Sequence, residues 1–95
     1  MLAFNTPMES ILQIAQRARS QRLSQNLSRK TLAKISGVPE ASIKRFELTG
    51  QIAFLAILKI AYVLGCMEDF DPLFAPKENV SLEQVLMKER TRGRT

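Results

Sequence analysis

The chain has 95 residues, of which 45% are hydrophobic, with 14 Lys and Arg against 9 Asp and Glu, no His and one Cys. This length predicts one domain with one modest core, and the ordinary apolar fraction excludes a fully disordered or fibrous chain. Without His, and with Cys66 alone, a His/Cys zinc site, a Ser-His-Asp triad, a Cys-His pair and an intrachain disulfide are all excluded. We therefore expect no enzymatic activity, no metal and no cofactor.

The first helix signal lies near the N-terminus. Thr6, Pro7 and Glu9 form a capping-box pattern with proline at the first helical position. Apolar and small residues then recur at helical spacing, which predicts helix 1 over residues 7–25. Asn26 is the expected stop, because asparagine tolerates the left-handed conformation of a residue that ends a helix.

A short helix 2 is predicted next. Ser28 can cap its N-terminus, because a serine hydroxyl accepts a hydrogen bond from the first turn. Gly37 ends it. The residues expected to face the core are Leu32, Ala33 and Ile35.

Helix 3 follows after a very short turn. We expect it to begin at Val38 or Pro39 and to end near Leu48, before the Thr-Gly pair at residues 49–50. Its inward-facing residues are Ile43 and Phe46, which are spaced for one face of a helix.

Helix 4 is predicted over roughly residues 53–64, ended by Gly65. It is apolar nearly all round, which is typical of a helix at the buried centre of a domain. A short helix is expected over residues 68–74, and a second capping-box pattern at residues 81–84 predicts a terminal helix. The chain is therefore expected to be an all-α, compact bundle of five to six helices.

Helices 2 and 3 have the spacing of a helix-turn-helix. Ala33 is small where the two helices pack closely, and Gly37 can adopt the positive φ that a sharp turn needs. Val38 fills the space under the turn, and Ile43 anchors the second helix in the core.

With this motif, residues 14–65 resemble the phage-repressor/Cro-type (XRE) helix-turn-helix family, a five-helix, lambda-repressor-like DNA-binding domain. The matching residues are Leu27, Ser28, Thr31, Leu32, Ala33, Ser36, Gly37, Val38, Ser42, Ile43, Glu47 and the run 58–65. The departures from the family pattern are Asn26 for glycine, Pro39 and Ala53 for polar capping residues, and Gly50 one residue late. The resemblance implies a helix-turn-helix DNA-binding domain at residues 1–78, followed by a short helix and basic tail at 79–95.

A narrower resemblance points to the HipB-like antitoxins that are encoded beside HipA-type kinase toxins. It is carried by residues 46–52 and 58–64, by residues 70–74, and by the basic C-terminal extension. It implies a repressor that regulates its own toxin–antitoxin operon and contacts a HipA-type kinase toxin.

The net charge of +5 is uneven: residues 1–50 carry +5, residues 51–87 carry −3, and residues 88–95 carry +3. Such separation indicates a surface that faces a polyanion, although basic residues can also simply keep a protein soluble. The recognition helix of a helix-turn-helix lies in the major groove of DNA. The expected base-reading residues are Glu40, Ala41, Ser42, Lys44 and Arg45. Glu40 has an alternative role as a first-turn carboxylate that favours the helix dipole.

Phosphate contacts are expected at the start of helix 2, where backbone N–H groups and positive side chains meet. The residues expected to bind phosphate there are Ser28, Arg29 and Lys30, and Gln51, before helix 4, is expected to flank the other side. The family resemblance implies a structural ion pair between Arg22 and Glu47.

One short helix reads only a half-site, so we expect a homodimer on palindromic double-stranded DNA. Two roles are open for the apolar residues after helix 4: they form the dimer surface, or they pack under their own domain. The role of the tail at 88–95 is open as well: it follows phosphates, contacts a partner or does neither. Two alternatives stay open: a stand-alone XRE-type repressor without a toxin partner, and a protein-binding adaptor on the same fold. The longest apolar stretch is too short to span a bilayer and no signal sequence is evident, so we expect a cytoplasmic protein without membrane contact.

Overall fold

The computed structural model describes residues 5–76, and this part of the chain is helical without strands. The expected all-α class is confirmed for this range. The elements are α1 (Pro7–Ser24), α2 (Arg29–Ser36), α3 (Glu40–Thr49), α4 (Phe54–Leu64) and a 3-10 turn, η1 (Met67–Asp69). The terminal helix and basic tail expected at residues 79–95 lie outside the described range.

The expected count of five to six helices is not matched by residues 5–76, which contain four α-helices and one 3-10 turn. The helix expected at residues 68–74 is reduced to the 3-10 element η1, which is followed by turns closed by hydrogen bonds between residues three positions apart. The N–H of Phe70 donates to the carbonyl of Met67 at 2.9 Å, and that of Leu73 donates to Phe70 at 3.1 Å. Pro72 interrupts a helix here, since it lacks an N–H and disfavours helical geometry in the preceding residue.

The ends of α1 follow from local chemistry. The Thr6 hydroxyl accepts from the N–H of Glu9 at 3.1 Å, and the Glu9 carboxylate accepts from the N–H of Thr6 at 2.9 Å. This reciprocal pair is the expected capping box, with Pro7 in the first helical position. The helix ends at Ser24, one residue earlier than predicted, and Asn26 adopts the expected left-handed conformation at φ 58°.

The core lies where the four helices meet. α3 packs against both α1 and α2, and α4 packs against α2 and, less extensively, α1. The buried apolar residues are Ala15, Leu32, Val38, Ile43, Phe46, Ile60, Ala61 and Leu64. Every helix contributes at least one of them, so α3 is held from several sides through Ile43 and Phe46 while its opposite face is left to solvent.

Two predictions about burial are wrong. Ile35 is 58% exposed instead of facing the core, because it lies beside Leu58 and Tyr62 at the edge of the bundle. α4 is not the buried centre of the domain: Phe54, Leu55 and Tyr62 are exposed. Within the described residues α4 packs against the rest of the bundle on one side only. Its buried residues are therefore those at 60, 61 and 64, although its other faces are also apolar.

The turn between α3 and α4 depends on glycine. Gly50 has φ 80°, and a Cβ at this position would overlap Cγ2 of Ile11 in α1. Any side chain is therefore excluded both by backbone strain and by the close approach of α1. Within residues 5–76 no single helix is long and apolar enough to cross a membrane; α3 and α4 meet that test only as a pair bent by 96°.

Candidate nucleic-acid interface

The connection between α2 and α3 is three residues long. Gly37 ends α2 with φ 80°, and its N–H donates to the carbonyl of Ala33 at 2.9 Å. Val38 is 2% exposed, so it fills the space under the turn as expected, and its N–H donates to the Ser36 hydroxyl at 3.1 Å. Pro39 then precedes α3 without a side-chain cap. The turn is thus closed by backbone geometry and one buried valine.

The outer face of α3 carries the expected base-reading side chains. Ile43 and Phe46 are each 1% exposed and fix the rotation of the helix about its axis. As a result Glu40, Ala41, Lys44 and Arg45 are exposed, and Ser42 is half-buried at the edge of this face. Two adjacent cations therefore project from the same helix that anchors the core.

The start of α2 is capped by Ser28. Its hydroxyl accepts from the N–H of Thr31 at 3.0 Å and lies 3.0 Å from the Thr31 hydroxyl. The hydroxyl that was expected to hold a phosphate is therefore already part of the cap. Lys30 is exposed beside it, and the first N–H groups of a helix have no acceptor within that helix.

Glu47, on the inner side of α3, binds two arginines. Arg22 donates from Nε to Oε2 at 2.7 Å and from Nη2 to Oε1 at 3.0 Å, and its Nη1 donates to the carbonyl of Leu27 at 2.8 Å. The ion pair expected from the family resemblance is present, with side chains that are 6% and 2% exposed. Arg29 also donates from Nε to Oε1, at 2.9 Å.

The contact of Arg29 with Glu47 changes the role expected for Arg29. Sequence reasoning placed it on a phosphate, whereas the structure places its Nε on a buried carboxylate and leaves 27% of its side chain exposed. A guanidinium has five N–H donors, so its terminal nitrogens keep the capacity to bind an anion. The contact was missed because the partners lie 18 positions apart in the sequence, and no local spacing rule links positions that far apart.

The pKa of Glu47 reflects opposing influences. Burial raises the pKa, but hydrogen bonds from Arg22 and Arg29, together with their positive charges, outweigh burial and hold the pKa of Glu47 below its ordinary value. The carboxylate therefore stays ionised. One anion joins α1, α2 and α3 at the base of the candidate interface.

Arg45 and Gln51, which were assigned separate roles, are in contact. Nη2 of Arg45 donates to Oε1 of Gln51. Thr49 lies between them: its hydroxyl donates to the carbonyl of Arg45 at 2.7 Å and accepts from the N–H of Gln51 at 3.1 Å. Sequence reasoning missed this three-residue network, because it depends on the direction in which Gly50 turns the chain.

A groove of about 490 Å³ separates the start of α3 from the start of α4. Arg45 and Gln51 line this groove together with Lys59 of α4. Lys59 was not among the predicted site residues, since its position on an apolar helix gave no hint that it neighbours α3. Lys59 is the second cation that lines this groove, with Arg45.

Among the exposed charged side chains of α2 and α3, four are cationic and one is anionic: Lys30, Lys34, Lys44 and Arg45 against Glu40. This surface can bind anions through charge and through planar guanidinium donors. Residues 5–76 contain no group of three His, Cys, Asp or Glu side chains that could hold a metal ion. Burial, with Asp69 and Glu68 nearby, raises the pKa of the Cys66 thiol, which disfavours the reactive thiolate.

Comparison with protein-family models, curated proteins and solved structures gives no match for this chain.

Proposed function

We propose that the protein is a sequence-specific DNA-binding repressor and not an enzyme, and that α2 and α3 form its helix-turn-helix. The observation that carries the proposal is the two-sided character of α3. Ile43 and Phe46 fix one side in the core, and Lys44 and Arg45 project from the other. A recognition helix needs this combination, because a rigid anchor must hold base-reading side chains at a constant position in the major groove.

Each outward residue has a chemical partner on DNA. Arg45 can donate two hydrogen bonds to O6 and N7 of guanine, and Lys44 can reach guanine or a phosphate. Ala41 can contact a thymine methyl group, while Glu40 can accept from a cytosine amino group or serve only the helix dipole. Ser42, which is half-buried, can contact a base only at the edge of the helix.

The start of α2 supplies the phosphate contacts of the proposal. Lys30 and the first backbone N–H groups of α2 approach the sugar–phosphate backbone, joined by the terminal nitrogens of Arg29. Because Nε of Arg29 is held by Glu47, Arg29 connects the backbone contact to the recognition helix. These contacts position the protein on DNA without reading its sequence.

The length of α3 favours a dimer. A helix of 10 residues is about 15 Å long, which covers one half-site of an operator. Two copies on a palindrome would place two such helices one helical turn of DNA apart. We therefore propose a homodimer on palindromic double-stranded DNA.

The finer proposal is a HipB-like antitoxin that represses its own operon and contacts a HipA-type kinase toxin. It depends on the family resemblance, and the exposed apolar residues of α4 give a protein partner a surface to cover. The stand-alone repressor differs in having no toxin partner. Co-purification from the native operon separates the two, because a toxin partner elutes with the antitoxin at constant stoichiometry and a stand-alone repressor elutes alone.

The DNA-binding proposal is tested by footprinting upstream of the gene, followed by gel shifts at fixed salt on the protected duplex and on random DNA. Arg45→Ala should weaken binding to the protected duplex by about 1–3 kcal/mol and relax one base position, with little effect on random DNA. Arg17→Ala, an exposed arginine on α1, is the matched control and should change neither. Equal losses on both DNAs for Arg45→Ala would contradict the base-reading role.

A further inference from the structure

Gln51 follows α3 directly, and the turn brings it back towards the recognition helix. From the contacts around it we infer that Gln51 is a positioning residue: it holds the guanidinium of Arg45 for base reading and does not itself bind a phosphate. This inference rests on the proposed function, since it assigns a role within the same DNA-reading surface.

The backbone of Gln51 is fixed to α3. Gly50 takes the left-handed conformation at φ 80°, and its N–H donates to the carbonyl of Phe46 at 2.7 Å. The chain therefore turns sharply at the end of the helix, which places Gln51 beside Thr49 and Arg45. The Thr49 hydroxyl then joins the N–H of Gln51 to the carbonyl of Arg45, with hydrogen bonds of 3.1 Å and 2.7 Å.

The side chain of Gln51 completes a closed loop of contacts. Its Oε1 accepts from Nη2 of Arg45, six residues earlier in the chain. One edge of the guanidinium is thereby held, and the remaining N–H donors stay available for a guanine. The side chain of Lys44, the neighbouring cation on the same face, makes no hydrogen bond or ion pair to the part of the chain that the structure describes.

Holding Arg45 affects affinity through conformational entropy. An arginine side chain has many rotamers, and a contact to a base selects one of them. A partner that restricts those rotamers before DNA binds lowers the entropy lost on binding. Gln51 therefore contributes to sequence discrimination without touching a base, and Thr49 contributes by fixing the backbone of Gln51.

The first test uses the full-length protein without DNA. Side-chain NMR measures the rotation of the Arg45 guanidinium in the wild type, in Gln51→Ala and in the control Gln16→Ala, an exposed glutamine on α1. Gln51→Ala should accelerate this rotation, while Gln16→Ala should not. The same rotation rate in the wild type and in Gln51→Ala would overturn the inference, whatever the protein binds.

The second test is a double-mutant cycle on the tightest-binding duplex selected from a randomised pool. Gln51→Ala should weaken binding to this duplex by about threefold to tenfold and leave binding to random DNA unchanged. In an Arg45→Ala background the same substitution should have no further effect. Thr49→Val, which removes the hydroxyl, should reproduce part of the loss, and Thr49→Ser should not.

Two other outcomes have different meanings. A loss from Gln51→Ala that is equal for selected and random DNA, and that persists in the Arg45→Ala background, indicates a phosphate contact and overturns the positioning role alone. If the wild-type chain selects no duplex from the pool, the proposed function fails, and the DNA-reading role of Gln51 fails with it.

Discussion

Arg45 and Glu47 are two residues apart on α3, yet their surroundings are opposite. Arg45 is exposed and makes one side-chain hydrogen bond, to Gln51, whereas Glu47 is 2% exposed and binds two arginines. The comparison separates charges that hold the fold from charges that are available to a ligand. Removing a buried partner leaves an uncompensated charge, while removing an exposed charge costs the fold little.

The largest expected effect is the loss of the buried anion. Glu47→Ala should lower the free energy of unfolding by about 3–5 kcal/mol, because Arg22 stays buried without its partner. Chemical denaturation monitored by circular dichroism measures this change. Glu40→Ala is the matched control, since Glu40 is an exposed glutamate on the same helix. A similar small effect of both substitutions would show that Glu47 does not hold the three helices together.

Arg29 is intermediate between the buried Glu47 and the exposed Arg45, so its removal should affect both protein stability and DNA binding. Arg29→Ala should lower the free energy of unfolding by about 1–2 kcal/mol, because Glu47 loses one charge-assisted hydrogen bond but keeps Arg22. It should also weaken binding to cognate and random DNA alike. Lys30→Ala, next in the chain, should reduce DNA binding without changing the unfolding midpoint. A lower midpoint in Lys30→Ala would contradict the assignment of Lys30 to DNA binding alone.

The pH dependence of protein stability tests the role of the buried Glu47 carboxylate. The folded-state pKa of Glu47 is lowered, so its contribution to stability is fully present above the unfolded-state pKa of this carboxyl group. That contribution is lost as the pH falls through the lower, folded-state value. The stability difference between the wild type and Glu47→Gln should therefore be constant above about pH 5 and should shrink in acid. If the stability difference between the wild type and Glu47→Gln grew as the pH fell, it would contradict a stabilising role for the ionised Glu47 carboxylate.

The smallest expected effect on stability is at the outer face of α3. Arg45→Ala and Lys44→Ala should each change the free energy of unfolding by less than about 0.5 kcal/mol, because both side chains are exposed. Thermal denaturation measures this directly. A loss comparable to that of Glu47→Ala would mean that Arg45 serves the fold and is not free to read DNA.

The helix boundaries could be predicted to within a residue or two because their signals are local. Thr6 with Glu9, Ser28, Gly37 and Gly65 act within one turn of their own positions. The expected helix at residues 68–74 was too long: it is reduced to η1, and Pro72 interrupts its continuation. These outcomes show that helix ends are largely encoded by neighbouring residues.

The burial of α4 and the contacts of the candidate site could not be predicted in the same way. An all-apolar helix gives no periodicity that reveals which face is covered, so α4 as a whole was expected to be buried although Phe54 and Leu55 are exposed. Likewise, an arginine at the start of α2 looks the same in sequence whether it meets Glu47 or a phosphate. Such choices depend on the packing of helices that are distant in sequence.

The most direct test of the central claim, that α3 reads DNA from its outward face, is NMR mapping of the binding surface. The isotope-labelled full-length protein is titrated with the duplex selected from a randomised pool. The account predicts that the largest amide shifts fall on residues 40–45 and 28–30, and that Arg45→Ala removes the shifts specific to the selected duplex. Shifts centred on the exposed apolar residues of α4, with residues 40–45 unaffected, would contradict it.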